Sequence, residues 1–200
     1  MSLRRSYRLL APFYDLAIAA FTTRLRRESL AHLPQRPGLR VLMSGSGTGL
    51  DLPHLPPGNE YVALDITRAM LERSRRCAAA LPAALVQGDS QRLPFAEAAF
   101  DAVVLHLILA VVPDAPRALA EAARVVRPGG RVLVLDKFLR PGQRAPLRRA
   151  LTPLTAQFAT RLDVVFEDVL AQVPALAVES DEPAALGGWF RRIVLRRTAG

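Results

Sequence analysis

Cysteine, lysine and aromatic residues are all scarce in this sequence. Cys77 is the only cysteine among 200 residues, so no disulfide can form within the chain. A single free thiol is typical of a reducing compartment, and we expect a cytoplasmic protein. The longest apolar stretch, Ala102 to Val112, contains His106 and is far shorter than the roughly 20 residues that a membrane-spanning helix needs. No membrane-spanning helix is therefore expected.

The positive charge of the chain is carried by arginine. Lys137 is the only lysine, although the net charge is +9. Such one-sided usage indicates biased codon usage, so the placement of the arginines is more informative than their number. They cluster in three regions, Arg4–Arg40, Arg140–Arg149 and Arg191–Arg197. For each cluster the sequence leaves two interpretations open, a solvated surface or a surface for an anionic partner.

The amino-terminal segment has one feature of an export signal. Arg4-Arg5 precedes apolar residues, as in twin-arginine signals. Asp15 interrupts the apolar core, however, and the alternation of apolar and basic residues continues through Leu33. We therefore predict an amphipathic helix here rather than a cleaved signal.

Aromatic residues make up only 6% of the sequence, and no basic stretch has aromatic residues interleaved for stacking on bases. We therefore expect no nucleic-acid partner. His32 and His54 are far apart and lack the spacing of metal ligands, so we also expect no metal site.

Half of the residues are hydrophobic and 22% are charged, which is typical of one compact domain with a sizeable core. From Gly38 onward, short β-rich apolar runs alternate with longer helical segments, a pattern that predicts βαβ units and a parallel sheet. The predicted parallel strands are Leu39–Met43, Tyr61–Leu64, Ala84–Val86, Phe100–Leu105 and Arg131–Leu135.

Two helices are predicted between these strands. One follows Thr67, a candidate N-cap, and continues to Cys77; the other spans Pro116–Val126. A third helical stretch, residues 140–171, contains three prolines and should be broken into short pieces.

The chain ends in two further β-like runs, Ala175–Glu179 and Trp189–Leu195. The turn-forming residues between them are Asp181-Glu182-Pro183 and Gly187-Gly188. Because so short a link cannot join parallel neighbours, these runs should pair as an antiparallel hairpin.

The strongest local motif is Gly45-Ser46-Gly47-Thr48-Gly49, directly after the first strand. Glycines allow a positive φ and a close approach to a ligand, and a following helix would offer free N–H groups. This strand, turn and helix pattern predicts nucleotide binding. A purely structural glycine-rich turn is the alternative.

Acidic residues end the next two strands. Asp65 follows the second strand and is placed to accept both ribose hydroxyls of an adenosine, while Asp89 and Ser90 follow the third strand and could bind adenine. Each Asp alone could be a helix cap or a solvated turn. Three such features at consecutive strand ends indicate one adenosine pocket.

These motifs resemble the class I S-adenosylmethionine-dependent methyltransferase family over nearly the whole chain. Gly45-x-Gly47-x-Gly49 is similar to its first motif, and Phe100-Asp101 and Arg127-Pro128-Gly129-Gly130 are similar to later ones. The resemblance implies an α/β fold, a Rossmann-like three-layer sandwich whose seven-stranded, mostly parallel sheet ends in an antiparallel hairpin. S-adenosylmethionine is the implied cofactor. The residues implied to bind it are Tyr14, Gly45, Ser46, Gly47, Gly49, Asp65, Ile66, Met70, Asp89 and Ser90.

A narrower resemblance concerns the branch that contains ubiquinone/menaquinone and phosphatidylethanolamine N-methyltransferases. It is carried by Tyr14-Asp15 and Leu135-Asp136-Lys137-Phe138. It implies a small or amphiphilic acceptor, such as a phospholipid head-group amine or a quinone precursor. The single domain would then comprise an N-terminal helical lid (1–37), a cofactor-binding core (38–137), a helical substrate cap (138–172) and a terminal hairpin (173–200). The lid and cap are both apolar and basic, so peripheral contact with an anionic membrane is expected, with packing onto the core as the alternative.

One departure from the family concerns Met43, where members usually carry Asp or Glu to contact the cationic methionine end of the cofactor. Asp51, or backbone carbonyls near Ser44, could compensate. We expect S-adenosylmethionine to bind in the micromolar range or more weakly, about −8 kcal/mol or less favourable. Nanomolar binding by calorimetry would contradict a role for the missing charge.

His106 is the candidate catalytic base. It lies where the fourth strand ends, and an amine or phenol acceptor must lose a proton there. A histidine hydrogen-bonded within the protein is the alternative.

Three other functions stay open. The basicity suggests a nucleic-acid methyltransferase or binder. A dinucleotide oxidoreductase is disfavoured by the glycine spacing and the terminal hairpin. A catalytically silent relative is suggested by Met43.

Overall fold

The computed structural model of the chain describes residues 21–78, 81, 83–143 and 163–199. A seven-stranded sheet forms its centre, with the strand order β3-β2-β1-β4-β5-β7-β6. The first five strands pair in parallel, and β7 and β6 pair antiparallel. The strands are β1 (Arg40–Ser44), β2 (Glu60–Asp65), β3 (Ala83–Gln87), β4 (Phe100–His106), β5 (Val126–Lys137), β6 (Leu176–Ala185) and β7 (Phe190–Arg197). The predicted fold class is confirmed.

Helices cover both faces of the sheet. They are α1 (21–30), α2 (Arg68–Ala78), α3 (Ala115–Val125) and α4 (Phe166–Leu170). One face packs residues such as Val41 and Met43 against Leu30 at the end of α1. The other face packs residues such as Leu42 against α3 and α4. Two apolar cores, one on each face, produce the three layers.

The order of the strands reverses between β1 and β4, which are neighbours although they are far apart in the chain. A crevice forms at such a point outside the carboxyl ends of parallel strands. The loops after β1, β2, β3 and β4 all open at this edge, and it is where the predicted site residues follow their strands.

The predicted helix after the glycine-rich turn is wrong. A single 3-10 turn, Leu52–His54, replaces it, and the chain then runs irregularly to β2. The physical reason is proline, since Pro53, Pro56 and Pro57 lack the N–H groups that a longer helix would need.

The predicted turn at Asp181-Glu182-Pro183 is also wrong, because these residues lie inside β6. β6 is an edge strand, where the missing N–H of Pro183 breaks no ladder on the open side. Asp181 and Glu182 form ion pairs with Arg191 and Arg192 of the neighbouring strand β7. Cross-strand charge pairing therefore extends the hairpin beyond its apolar residues.

The arginine cluster of β7 is neutralised within the protein. Each of its four arginines is ion-paired with at least one carboxylate of the described residues. The pairs are Arg191 with Glu167 and Asp181, Arg192 with Glu28 and Glu182, Arg196 with Glu179, and Arg197 with Glu97. This cluster is not a free anion-binding surface.

Several predictions concern residues outside the described part of the chain. Among them are Tyr14, most of the amino-terminal lid and the segment 144–162 of the cap. The division into lid, core, cap and hairpin therefore stays a prediction. Within the described residues, no helix has the length and apolar character that crossing a membrane requires.

Candidate active site

A cavity of about 140 Å³ lies at the carboxyl edge of the sheet. It brings together residues that follow three consecutive strands, Gly45 after β1, Asp65 and Ile66 at β2, and Asp89 and Ser90 after β3. The other walls are Gln91, Ile108, Val111, Val112 and Pro113. The strand ends thus meet around one space, as the spacing of the motifs predicted.

Asp65, the last residue of β2, accepts hydrogen bonds from two backbone N–H groups. Its Oδ2 accepts a hydrogen bond of 2.8 Å from the backbone N–H of Gly47, and its Oδ1 accepts one of 2.8 Å from the N–H of Thr67. The residue is 9% exposed. Each carboxylate oxygen retains a second lone pair, so the group can still accept hydrogen bonds from a ribose.

The glycine-rich turn approaches its neighbours closely. Gly45 has a φ of 76°, and a Cβ atom there would lie 2.6 Å from Cγ1 of Ile108, so only glycine fits. A Cβ at Gly49 would lie 2.8 Å from the Cβ of Ser74 in α2. Packing against α2 accounts for Gly49, and its contact with a cofactor stays a prediction.

Three backbone amides of the glycine-rich turn are used within the protein. The N–H groups of Gly45 and Ser46 both donate to the carbonyl of Leu64, at 2.9 Å each, and that of Gly47 donates to Asp65. They connect the turn to β2. A ligand would therefore be held mainly by side chains and by the shape of the cavity.

The loop after β3 is ordered by its own polar groups. The N–H of Gln91 donates to Oδ1 of Asp89 at 2.8 Å, which forms a tight turn around the carboxylate. The Ser44 hydroxyl donates to the Ser90 hydroxyl at 2.9 Å and ties this loop to the end of β1. Asp89 and Ser90 are therefore fixed as cavity walls.

The residues of this edge fit S-adenosylmethionine. Ser46 Oγ is buried and has no hydrogen-bond partner among the described residues, although it lies in the predicted cofactor-binding turn. Beside Gly47, a Cβ would meet no atom within 4 Å, so the space next to the turn is open. Apolar walls such as Ile108 and Val112, with Asp65 and Asp89 at the ends, suit a flat adenine joined to a ribose. Met70, also predicted to bind the cofactor, is half-buried in α2 and is not one of these walls.

The wall formed by residues 107–113 was not predicted from the sequence. It is held by Asp136, a completely buried carboxyl at the end of β5, whose Oδ2 accepts a 3.0 Å hydrogen bond from the N–H of Ala110. Its Oδ1 accepts the N–H of Lys137 at 2.8 Å. Burial raises the pKa of Asp136 above its usual value, although these N–H groups act in the opposite direction. An acidic residue inside an apolar strand end was the available signal.

Met43, which replaces the usual acidic residue, is 2% exposed and packs in an apolar cluster with Leu30 and Leu33. Asp51, the residue that could compensate for the missing charge, is bonded within the protein. Its Oδ1 is bonded to His106 Nδ1 at 2.8 Å and its Oδ2 to Arg26 Nη1 at 2.7 Å. The Asp51 carboxylate is therefore used inside the protein.

His106 belongs to a buried polar network that joins α1 to the turn after β1. Its side chain is 1% exposed, and Nε2 lies 2.9 Å from the Ser29 hydroxyl, opposite the contact with Asp51. In α1, Thr22, Arg26 and Ser29 repeat at helical spacing and face this network. This spacing of polar residues is a sequence signal for a buried polar face of α1, which the pattern of apolar residues alone does not indicate.

The network keeps Asp51 charged. Burial alone would raise the pKa of Asp51, but the charges and hydrogen bonds of His106 and Arg26 outweigh it and hold the pKa well below its usual range. With both ring nitrogens bonded inside the protein, the geometry of His106 favours a histidine hydrogen-bonded within the structure. Its action as a base stays a prediction.

Comparisons with known proteins identify the family and relatives of this chain. Residues 42–134 match the methyltransferase-domain family. Over 198 residues the chain is 33% identical to a phosphatidylethanolamine N-methyltransferase of Cereibacter sphaeroides, covering 96% of each protein. It is 41% identical over 112 residues to a demethylmenaquinone methyltransferase of Beutenbergia cavernae, which covers 56% of this chain and 46% of that protein.

Solved structures share the fold at low sequence identity. A putative methyltransferase of Haloferax volcanii, solved with a methyltransferase activator, has a TM-score of 0.78 at 17% identity, covering 94% of this chain and 96% of that one. The geranyl diphosphate C-methyltransferase of Streptomyces coelicolor A3(2), solved with S-adenosyl-L-homocysteine, has a TM-score of 0.70 at 16% identity, covering 87% and 79%.

The family match and the relative that aligns over 96% of both chains agree on the chemistry. The protein is an S-adenosylmethionine-dependent methyltransferase, as the motifs predicted. The chain belongs to the class I S-adenosylmethionine-dependent methyltransferase family.

Proposed function

We propose that this enzyme transfers a methyl group to the amine of a phospholipid head group. The observation that carries the proposal is the relative named phosphatidylethanolamine N-methyltransferase, which aligns over 96% of both chains. Such an alignment includes the segments that would contact the acceptor as well as the cofactor-binding core.

A quinone precursor is the second candidate acceptor. The relatives named demethylmenaquinone methyltransferase are more similar in sequence, up to 41% identical, but the match spans only about half of each protein. A match of this length is expected from a shared cofactor-binding core alone. It therefore supports the reaction type more strongly than the acceptor.

The proposed contribution of the chain is to position the reactants and exclude water. When bound, S-adenosylmethionine supplies a methyl group on a positively charged sulfur, which is already a good leaving group. Asp65 would orient the adenosine, and Asp136 holds the loop that closes the adenine side. Alignment of this kind can supply most of the reduction in the barrier.

We propose that His106 contributes to turnover, and its burial points to positioning of α1 against the turn after β1. His106→Ala should lower kcat roughly 10- to 100-fold, because the acceptor side would lose its alignment, while S-adenosylmethionine affinity should change much less. Methyl transfer and calorimetry on the same protein measure both. His32→Ala is the matched control, since among the described residues the His32 ring bonds only the backbone carbonyl of Glu28, four residues earlier.

The pH profile separates positioning from proton transfer by His106. If His106 positions α1, Ser29→Ala should lower kcat in the same way, and both variants should keep the wild-type pH profile. If it is the base, the acidic limb of the kcat profile should disappear in His106→Ala alone. Unchanged turnover in His106→Ala would remove it from the mechanism.

Peripheral contact with an anionic membrane forms part of the proposal. Phe21 is 45% exposed, and the side chain of Arg24, one turn further along α1, is 85% exposed. Apolar and basic groups side by side at a helix surface suit the boundary of an anionic bilayer. A nucleic-acid substrate is less well supported, because the arginines of β7 are all engaged by carboxylates.

Methyl transfer from labelled S-adenosylmethionine tests the acceptor. The purified protein would be offered short-chain phosphatidylethanolamine, a demethylnaphthoquinol and RNA in parallel. Label in the phospholipid is the expected result, and label in the quinol alone would favour the second candidate. Label in RNA, or cofactor binding without transfer to any acceptor, would contradict the proposal, and the last result is that of a silent relative.

A further inference from the structure

We propose that Lys137 binds an oxyanion of the methyl acceptor, at the same carboxyl edge of the sheet as the cofactor cavity. This inference rests on the proposed function and adds to it the group by which the acceptor is recognised. In a phospholipid the oxyanion is the phosphodiester, and in a quinol precursor it is an ionised ring oxygen.

Lys137 lies on the edge of the sheet where the acceptor is expected. It is the last residue of β5, and two residues before it Leu135 pairs with His106 at the end of β4. Side chains alternate along a strand, so Lys137 shares a face with Leu133 and Leu135, both buried. This is the face covered by α1, and Lys137 continues it beyond the end of β4.

The ammonium group has no acceptor within the described part of the chain. The hydrogen bond recorded for Lys137 is that of its backbone N–H to Asp136, and Nζ takes part in no ion pair there. The residue is nevertheless half-buried. Burial lowers the pKa of Lys137, and the Asp136 charge only partly opposes this. A desolvated cation without a partner gains free energy when an anion reaches it.

Asp136 is poorly placed to be that partner. Its two oxygens accept backbone N–H groups of Ala110 and Lys137, and it lies on the opposite face of β5. The charge of Lys137 is thus left for a ligand.

The choice of lysine is itself informative in this chain. All 26 other basic residues are arginine, including those that form ion pairs on the surface of the sheet. Lysine carries a compact point charge on an unbranched stem, whereas arginine presents a wide planar fork. A half-buried position that must present one cation accounts for lysine here.

Apolar side chains near this position would hold the remainder of an amphiphile. Leu25 of α1, Leu135 and Phe190 form one cluster, and Phe190 lies opposite Lys137 in the β5–β7 pair. The Phe21 ring packs on Phe190 with 5.7 Å between centroids and is itself 45% exposed. A cation next to exposed apolar surface matches an acceptor with both an anionic and an apolar part.

Binding to the protein saturated with S-adenosylhomocysteine tests the inference. The probes are dihexanoyl phosphatidylethanolamine and its phosphotriester, whose phosphate carries no negative charge, and a demethylnaphthoquinol and its O-methyl ether. In each pair the first probe can present an oxyanion and is called charged, and the second cannot and is called uncharged. Wild type should bind the charged member of at least one pair about 10- to 100-fold more tightly, the value of one or two charge-assisted contacts. Lys137→Gln should lose this preference, and Lys137→Arg should retain part of it.

Control measurements separate recognition from folding. S-adenosylhomocysteine affinity and melting temperature should be unchanged in Lys137→Gln, as in Arg75→Gln, which alters an exposed arginine of α2. If Lys137→Gln loses S-adenosylhomocysteine binding to the same extent as its preference for the charged probe, Lys137 has a structural role and the inference is overturned. Equal binding of charged and uncharged probes by wild type, or binding of neither, would also overturn it.

The two proposals fail in different ways. Methyl transfer by wild type with an unchanged acceptor KM in Lys137→Gln would overturn the oxyanion site and leave the proposed function standing. Selective binding of a charged probe, lost in Lys137→Gln, without any methyl transfer would overturn the proposed function and leave the oxyanion site standing.

Discussion

Asp65→Ala is expected to weaken S-adenosylmethionine binding by about 100-fold. The carboxylate is the group placed to accept both ribose hydroxyls. Each hydrogen bond to a charged acceptor contributes about 1.5–3 kcal/mol. We expect the variant to lose roughly 3 kcal/mol of binding free energy in total, which corresponds to the 100-fold change. The same change frees the N–H of Gly47, which now donates to Oδ2, so the glycine-rich turn should also become less ordered. Calorimetric titration with S-adenosylmethionine measures the effect.

Two further variants separate the ribose contact from the order of the turn. Asp65→Asn keeps one carbonyl oxygen and should weaken binding by about 10-fold, because the charge is lost but the shape is retained. Glu72→Ala removes an exposed carboxylate of α2 that pairs only with Arg68, and it should leave binding unchanged. Wild-type affinity in Asp65→Ala would show that the cofactor does not lie across β1 and β2.

Arg26→Met should produce the largest loss of stability, about 3 kcal/mol in the free energy of unfolding. Arg26 and Asp51 are joined at 2.7 Å, with side chains only 9% and 6% exposed. Removing one partner of a buried ion pair leaves the other charge desolvated, which typically costs about 3–5 kcal/mol. His106 still contacts Asp51 at 2.8 Å, so the lower end of that range is expected. Urea unfolding followed by circular dichroism provides the measurement.

The matched control for Arg26→Met lies two residues earlier in the same helix. Arg24→Met breaks the ion pair between Arg24 and Glu28, whose side chains are 85% and 37% exposed respectively. Because this pair is exposed, the variant should lose less than about 1 kcal/mol of unfolding free energy. If the two variants lose equal stability, the buried network does not hold α1 on the sheet.

The same network predicts a pH dependence. Folding lowers the pKa of Asp51, so the network contributes its full stability above the ordinary carboxyl pKa of about 3.9 and loses it as the pH falls below that value. The difference in unfolding free energy between wild type and Arg26→Met should therefore be smaller at pH 3 than at pH 7.

The strands were predictable because each one corresponds to a short β-rich apolar run in the sequence. All seven predicted runs overlap observed strands. The glycine turn and Asp89 lie just after their strands, and Asp65 is the last residue of its strand. Parallel pairing places successive strand ends at one edge, so the meeting of Gly45, Asp65 and Asp89 around one cavity follows from local order and topology.

The surroundings of single polar residues were not predictable in this way. His106 is hydrogen-bonded to Asp51 and Ser29, which are 55 and 77 residues away in the sequence. A local sequence pattern cannot predict pairs that are so far apart. Sequence spacing placed His106 at a strand end, open to a substrate, whereas the packing of α1 buries it. Asp136 is similar, because its partner Ala110 lies 26 positions away.

The order of the amino acids was enough to specify the layered α/β fold, the methyltransferase family and the cofactor edge, since periodicity and strand-end motifs act over a few residues. Long-range packing assigned the polar side chains their partners. This packing places Asp51 and His106 in a buried network, and it leaves the Lys137 ammonium without a partner among the described residues. Each outcome depends on which distant element covers the end of the strand.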